Sequence, residues 1–162
     1  MSIMELGALG EFVGAFAVVA TLLYVGLQVR QNTKAVRGAA AHNATQSLQS
    51  WYVAIATNPQ AAHVFRRGMS DPSALSEDDA FVYLMNVHSA MLGYQNVFFL
   101  GTEGTLDASL YLAMSATMVV SVPTPGFQWY WKQRADFFTP EFRVFVEELM
   151  ASGAEGGAEI YK

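Results

Sequence analysis

With no cysteine in the chain, its three histidines and fourteen carboxylates are the side chains best suited to chemistry. That absence excludes disulfides, thiolate zinc sites, iron–sulfur clusters and cysteine nucleophiles. A carboxylate-bridged di-iron bundle needs Glu-x-x-His pairs on facing helices. The residues three places before His42, His63 and His88 are Ala39, Gln60 and Met85, so no such pair forms. No HExxH, P-loop, GxGxxG or GxSxG run occurs, and neither a metal, a cofactor nor an enzymatic activity is expected. His88 is the best single candidate, on an apolar stripe with Gln95 two turns away. It reads as a neutral imidazole hydrogen-bonded in a core, with axial haem ligation or proton sensing as the sharper alternatives. His88 and Gln95 are thus the candidate buried polar site. Glu11 is the other, a carboxylate about one turn inside an apolar run, where an ionisable group is a functional hypothesis by default. Its plainer reading is that it reaches lipid headgroups.

The elements that would position these groups begin with the first thirty residues. Phe12 to Val29 carries no charge. Leu6 to Val29 gives about 24 residues, against roughly 20 needed to cross a bilayer. A cleaved signal peptide would open on basic residues, whereas Glu5 precedes this run without Lys or Arg. Arg30, Lys34 and Arg37 follow at once. The positive-inside rule then predicts an outside N-terminus and a cytoplasmic C-terminal domain. Gly7, Gly10, Gly14, Ala17 and Thr21 recur at spacings of three and four, a small-residue face that permits close helix packing in lipid. This face is the expected oligomer interface.

No proline occurs before Pro59. Val36, Ala40, Ala44, Leu48, Trp51 and Ile55 recur with helical spacing, which predicts a stalk helix over 31–57. Some 50 residues at 1.5 Å each would reach roughly 75 Å, with Gly26 and Gly38 as points of bending. The stalk's apolar face, through Val36, Ala40 and Leu48, is expected to prolong the contact between copies. A helical bundle follows over 58–151, then a loose tail over 152–162. Its helices are predicted at 59–69, 79–100, 105–122, 127–138 and from 140 onward. Their starts are marked by Asn58-Pro59, Ser76 with three acids after it, Thr105, the Pro123–Gly126 break and Thr139-Pro140. Ala80 to Leu100 carries no charge, which reads as a buried central helix. Asn86, His88, Ser89, Gln95 and Asn96 argue against a second span. Phe81, Leu84, His88, Met91, Gln95 and Phe98 form one stripe, and Tyr83, Val87, Tyr94 and Val97 another. Arg66 and Arg67 are expected to pair with Glu77, Asp78 or Asp79. Phe127, Trp131 and Phe138 are expected to pack together. No strand alternation is seen, so the fold class is all-α.

The start, Glu5-Leu6-Gly7 through Leu23-Tyr24-Val25, leads into Gln28-Val29-Arg30-Gln31-Asn32-Thr33. Gln95-Asn96-Val97-Phe98-Phe99, Gly104-Thr105-Leu106-Asp107, Pro125-Gly126 to Trp131 and Phe138-Thr139-Pro140-Glu141-Phe142 come later. Together these resemble a family of uncharacterised bacterial single-span membrane proteins with an all-helical cytoplasmic domain. The resemblance implies that architecture and a bacterial inner membrane. It carries over no catalytic or binding residue. Met114 to Val122 departs from the family pattern, where a more charged stretch is expected.

Composition agrees. The 162 residues are 52% hydrophobic and 14% charged, where a soluble domain has about 25% charged. The mean hydropathy is +0.24. A net charge of −5 and a pI near 5.0 disfavour nucleic acid as a partner. Two functional readings follow. One is a self-associating structural or interaction protein with the lipid bilayer and further membrane proteins as partners. A variant makes it an accessory subunit of a larger membrane complex. The alternative is a homo-oligomeric channel or transport protein with Glu11, and with it Gln28, lining the path.

Overall fold

The computed structural model describes residues 3–152, apart from the side chain of Glu5. All but the first residue of the expected 152–162 tail lies outside the described residues. Six α-helices occur among the described residues, with no strand: α1 (Ile3–Ala56), α2 (Pro59–Ser70), α3 (Glu77–Thr102), α4 (Ala108–Ser121), α5 (Pro125–Arg134) and α6 (Pro140–Ala151). The all-α expectation holds. Short 3₁₀ turns occupy Pro72–Ala74 and Ala135–Phe137. Packing divides the chain into Met1–Ala39 and Ala40–Lys162.

In the first unit α1 is exposed along its described length. Its large apolar side chains stay open, among them Phe12 at 72% and Phe16 at 71%. Helical backbone continues through Gly26 and Gly38, so neither ends the helix.

The second unit is built from caps and a shared core. Asn58 Oδ1 accepts from the Gln60 and Ala61 N–H groups at 3.1 Å, with Pro59 first in α2. Ser76 Oγ accepts from the Asp79 N–H at 3.2 Å, and three acids fill the first turn of α3. Two expected caps need correction. Asp107, not Thr105, starts α4, because its carboxylate takes the Ser109 N–H at 2.9 Å and also the Leu110 N–H. Thr139 has extended backbone before Pro140, but its hydroxyl makes no capping bond. Thr124 caps the fifth helix, which starts at Pro125 and ends at Arg134, earlier than expected at both ends.

α3 is the centre. Tyr83, Val87, Ala90, Met91, Gly93, Tyr94 and Val97 are all buried. The second predicted stripe is the core face, while Phe81 of the first is 61% exposed. Both stripes keep helical spacing and lie side by side; Met91, on the near side of the first, is buried with the second, while Phe81 lies on the side away from the core. α2 and α5 meet backbone to backbone beside α3. A methyl group on Gly126 would come within 2.1 Å of the Gly68 carbonyl oxygen, and one on Gly68 within 2.2 Å of the Tyr83 ring. Tyr83 Oη donates to the Met69 sulfur at 3.1 Å. Trp131 is sandwiched between Phe127 and Phe138, with planes within 16° and centroids 6.0 and 5.5 Å away, so the expected aromatic packing is present.

The last part of α1 belongs to this bundle. Ala44 and Leu48 are buried, and Leu48 lies against Gly93 of α3. Trp51 Nε1 donates to the Asn86 carbonyl at 2.8 Å. The stripe read as a stalk seam is therefore spent on the chain's own core from Ala40 onward, and Leu48 is not free to meet a second copy. Val36 remains 56% exposed.

Candidate functional site

Two places hold the side chains singled out from the sequence. The first is the apolar part of α1. Leu6–Ala56 contains a window long and apolar enough to cross a membrane, and none of that window is buried among the described residues. Gly7, Gly10 and Gly14 each face open space, with no atom within 4 Å of an added methyl group. Thr21 Oγ1 donates to the Ala17 carbonyl at 2.7 Å, so its hydroxyl is satisfied within the helix. Gln28 Nε2 donates to Tyr24 Oη at 2.7 Å, again within the helix. Glu11 is exposed, and no partner of its carboxylate occurs among the described residues within ion-pair distance.

The second place is the corner where α3 meets α5 and the turn before α6. His88 is half-buried, and its Nδ1 lies 2.9 Å from Tyr130 Oη. Tyr130 is fully buried, and that burial pushes its phenol far above the usual range. It stays protonated. Burial first, and the Arg134 guanidinium second, push the His88 imidazole below its ordinary value. The pair is accordingly neutral near pH 7, one hydrogen shared between two uncharged rings. Tyr130, Phe137 and Phe138 surround the imidazole at 5.2 to 6.3 Å. Arg134 sits over the Phe137 ring at 5.1 Å, a cation–π contact.

Gln95 is also half-buried, but it serves a different partner. Its Oε1 accepts the Thr139 N–H at 3.0 Å and so ties α3 to the start of α6. His88 and Gln95 thus line one corner through separate bonds. Sequence reasoning did not connect Tyr130 to His88 or Thr139 to Gln95, because each pair lies more than 40 residues apart with no spacing signal. Among the described residues no group of three His, Asp or Glu side chains could hold a metal ion.

The arginine expectation is corrected. The ion pair found among the described residues joins Arg143 to Asp136 at 2.7 Å, not Arg66 or Arg67 to the acids of α3. Arg67 instead lies near enough to Asp71 to favour its carboxylate, after the larger effect of the Ser73 hydroxyl bond.

Comparison with protein-family models, with curated proteins and with solved structures finds no match to this chain. The family resemblance therefore rests on the residues quoted for it.

Proposed function

We propose that the chain is a single-pass protein of a bacterial inner membrane that self-associates and presents a helical cytoplasmic domain to a membrane-protein partner, without enzymatic activity. One observation carries this reading. The apolar side chains of α1 up to Val29 stay exposed among the described residues, Leu22 and Leu23 at 65% and 67%. Water would charge about 25 cal/mol for every Å² of it, so lipid or another copy must cover it. Lipid gives no hydrophobic drive between helices, and the open Gly7, Gly10, Gly14, Ala17 and Thr21 face supplies close packing instead. Arg30, Lys34 and Arg37 just past the span support a cytoplasmic bundle. The His88–Tyr130 pair, neutral and locked among rings, supports a structural use of that histidine rather than catalysis.

The test is alkaline extraction of membranes followed by particle mass in mild detergent. The chain should stay in the membrane pellet and then run as more than one copy. Release by alkali, or a monomer mass, contradicts the proposal. The channel reading keeps one specific support, the exposed Glu11 beside the glycine face. Ion flux in liposomes that Glu11→Gln abolishes would favour it.

A further inference from the structure

Two rows of residues run down opposite sides of α1 within the first unit. One is the small-residue face already described. Phe16, Val19 and Leu23 follow its members Gly14, Ala17 and Thr21 by two positions each. Two positions on a helix of 3.6 residues per turn is roughly the opposite side. Leu27 extends this second row, whose four side chains are 55% to 71% exposed. Arg30, Lys34 and Arg37 then continue it at the same spacings of three and four. All three cations are exposed, and the ion pair found among the described residues, Arg143 to Asp136, involves none of them. No Asp or Glu occurs in the sequence from Phe12 to Ser70, so no acid lies close to them along the chain.

The two halves of this second row fit one kind of molecule. At 1.5 Å per residue, Phe16 to Leu27 covers about 16 Å. The hydrocarbon of one leaflet is roughly 15 Å deep. The cations begin just beyond that length. Large side chains hold helix backbones apart, and close approach is what drives helix pairing in lipid. A neighbouring helix therefore belongs on the small-residue side, and a flexible acyl chain on this one. The cations select the headgroup. A zwitterionic headgroup brings its own ammonium to the same place, whereas an anionic one brings only phosphate charge. Arg and Lys lay their stems along apolar surface and keep their charged ends at the phosphate level.

We infer that the large-residue side of α1 binds an anionic phospholipid, its phosphate held by Arg30, Lys34 and Arg37 and an acyl chain lying along Phe16 to Leu27. The inference rests on the membrane span proposed above and names the lipid that the side opposite the glycine face selects.

Leu22 and Leu23 are neighbours in depth and 65% and 67% exposed, but Leu22 lies off the row. The chain has no cysteine, so Leu22→Cys and Leu23→Cys each carry a small fluorophore at one place. Each labelled full chain is placed in phosphatidylcholine vesicles containing increasing amounts of brominated phosphatidylglycerol or brominated phosphatidylcholine. At Leu23→Cys, phosphatidylglycerol should reach half-quenching at a mole fraction at least roughly fivefold lower than phosphatidylcholine, the effect of one cation near the surface. At Leu22→Cys the two lipids should differ far less. Replacing all three cations by Gln should remove the preference at Leu23→Cys. Raising the salt to about 1 M, where the screening length is about 3 Å, should give the same loss without any substitution, so a triple variant that fails to insert leaves the test intact. Equal quenching by the two lipids at Leu23→Cys, an equal preference at Leu22→Cys, or a preference that persists in the inserted triple variant or at high salt overturns the inference and leaves the span standing. So does a Leu23→Cys label that neither lipid reaches while Leu22→Cys is quenched, since a protein then covers the row. Labels that no lipid quenches at either position overturn the inference and the span together.

Discussion

At the scale of single residues, two contacts decide how the bundle is assembled, and each makes a prediction. Gly126 touches the Gly68 carbonyl, a backbone atom that cannot swing aside. Gly126→Ala must push α5 off α2, and overpacking of this kind costs about 1–3 kcal/mol. Thermal melting should register that loss, while Gly104→Ala should instead lose stability only through its left-handed backbone, φ +66°. An alanine at 126 that melts like the parent would show that the helices do not meet so closely. His88 makes a pH prediction. Its folded value lies below the ordinary one of about 6.5, first through burial and then through Arg134. The unfolded chain therefore binds the extra proton more readily. The stabilising effect is complete above the ordinary value and is lost as pH falls through the lowered folded value. Melting temperature should drop from pH 7 toward pH 5 more steeply in the parent than in His88→Gln. Parallel slopes would mean that His88 is not desolvated.

At the scale of elements, Leu48 tests where the bundle begins. Buried to 6% exposure against Gly93, it should cost about 2–5 kcal/mol on replacement by alanine. A free stalk would lose almost nothing, and an unchanged melt of Leu48→Ala would restore the stalk reading. The sequence made most helices legible because their punctuation is local. Asn58-Pro59 and Ser76 with its acids act within one turn of themselves, whereas the Pro123–Gly126 run reads only as a break and hides the Thr124 cap inside it. It mistook Thr105 for a cap because Asp107 two residues later has the same chemistry, and only the turn at Gly104 selects between them. The apolar stripe of α1 was visible as a stripe, but periodicity does not say which neighbour covers it. That neighbour proved to be α3 of the same chain. His88 was recognisable as a core histidine, yet its Tyr130 partner, 42 residues on, is set by the α3–α5 crossing and leaves no trace in spacing.

At the scale of the whole molecule, α1 keeps its apolar surface up to Val29 open among the described residues. Its small-residue face is open at Gly7, Gly10 and Gly14, and a large side chain there would hold two backbones apart. Val13, 57% exposed beside the face, already tolerates a branched side chain and is the natural control. The deciding measurement is the mass of the detergent-extracted particle for the parent, Gly14→Ile and Val13→Ile. A multimer is expected for the parent and for Val13→Ile, and a shift toward monomer for Gly14→Ile. Equal masses for the two variants would contradict it and show that the glycine face holds nothing together.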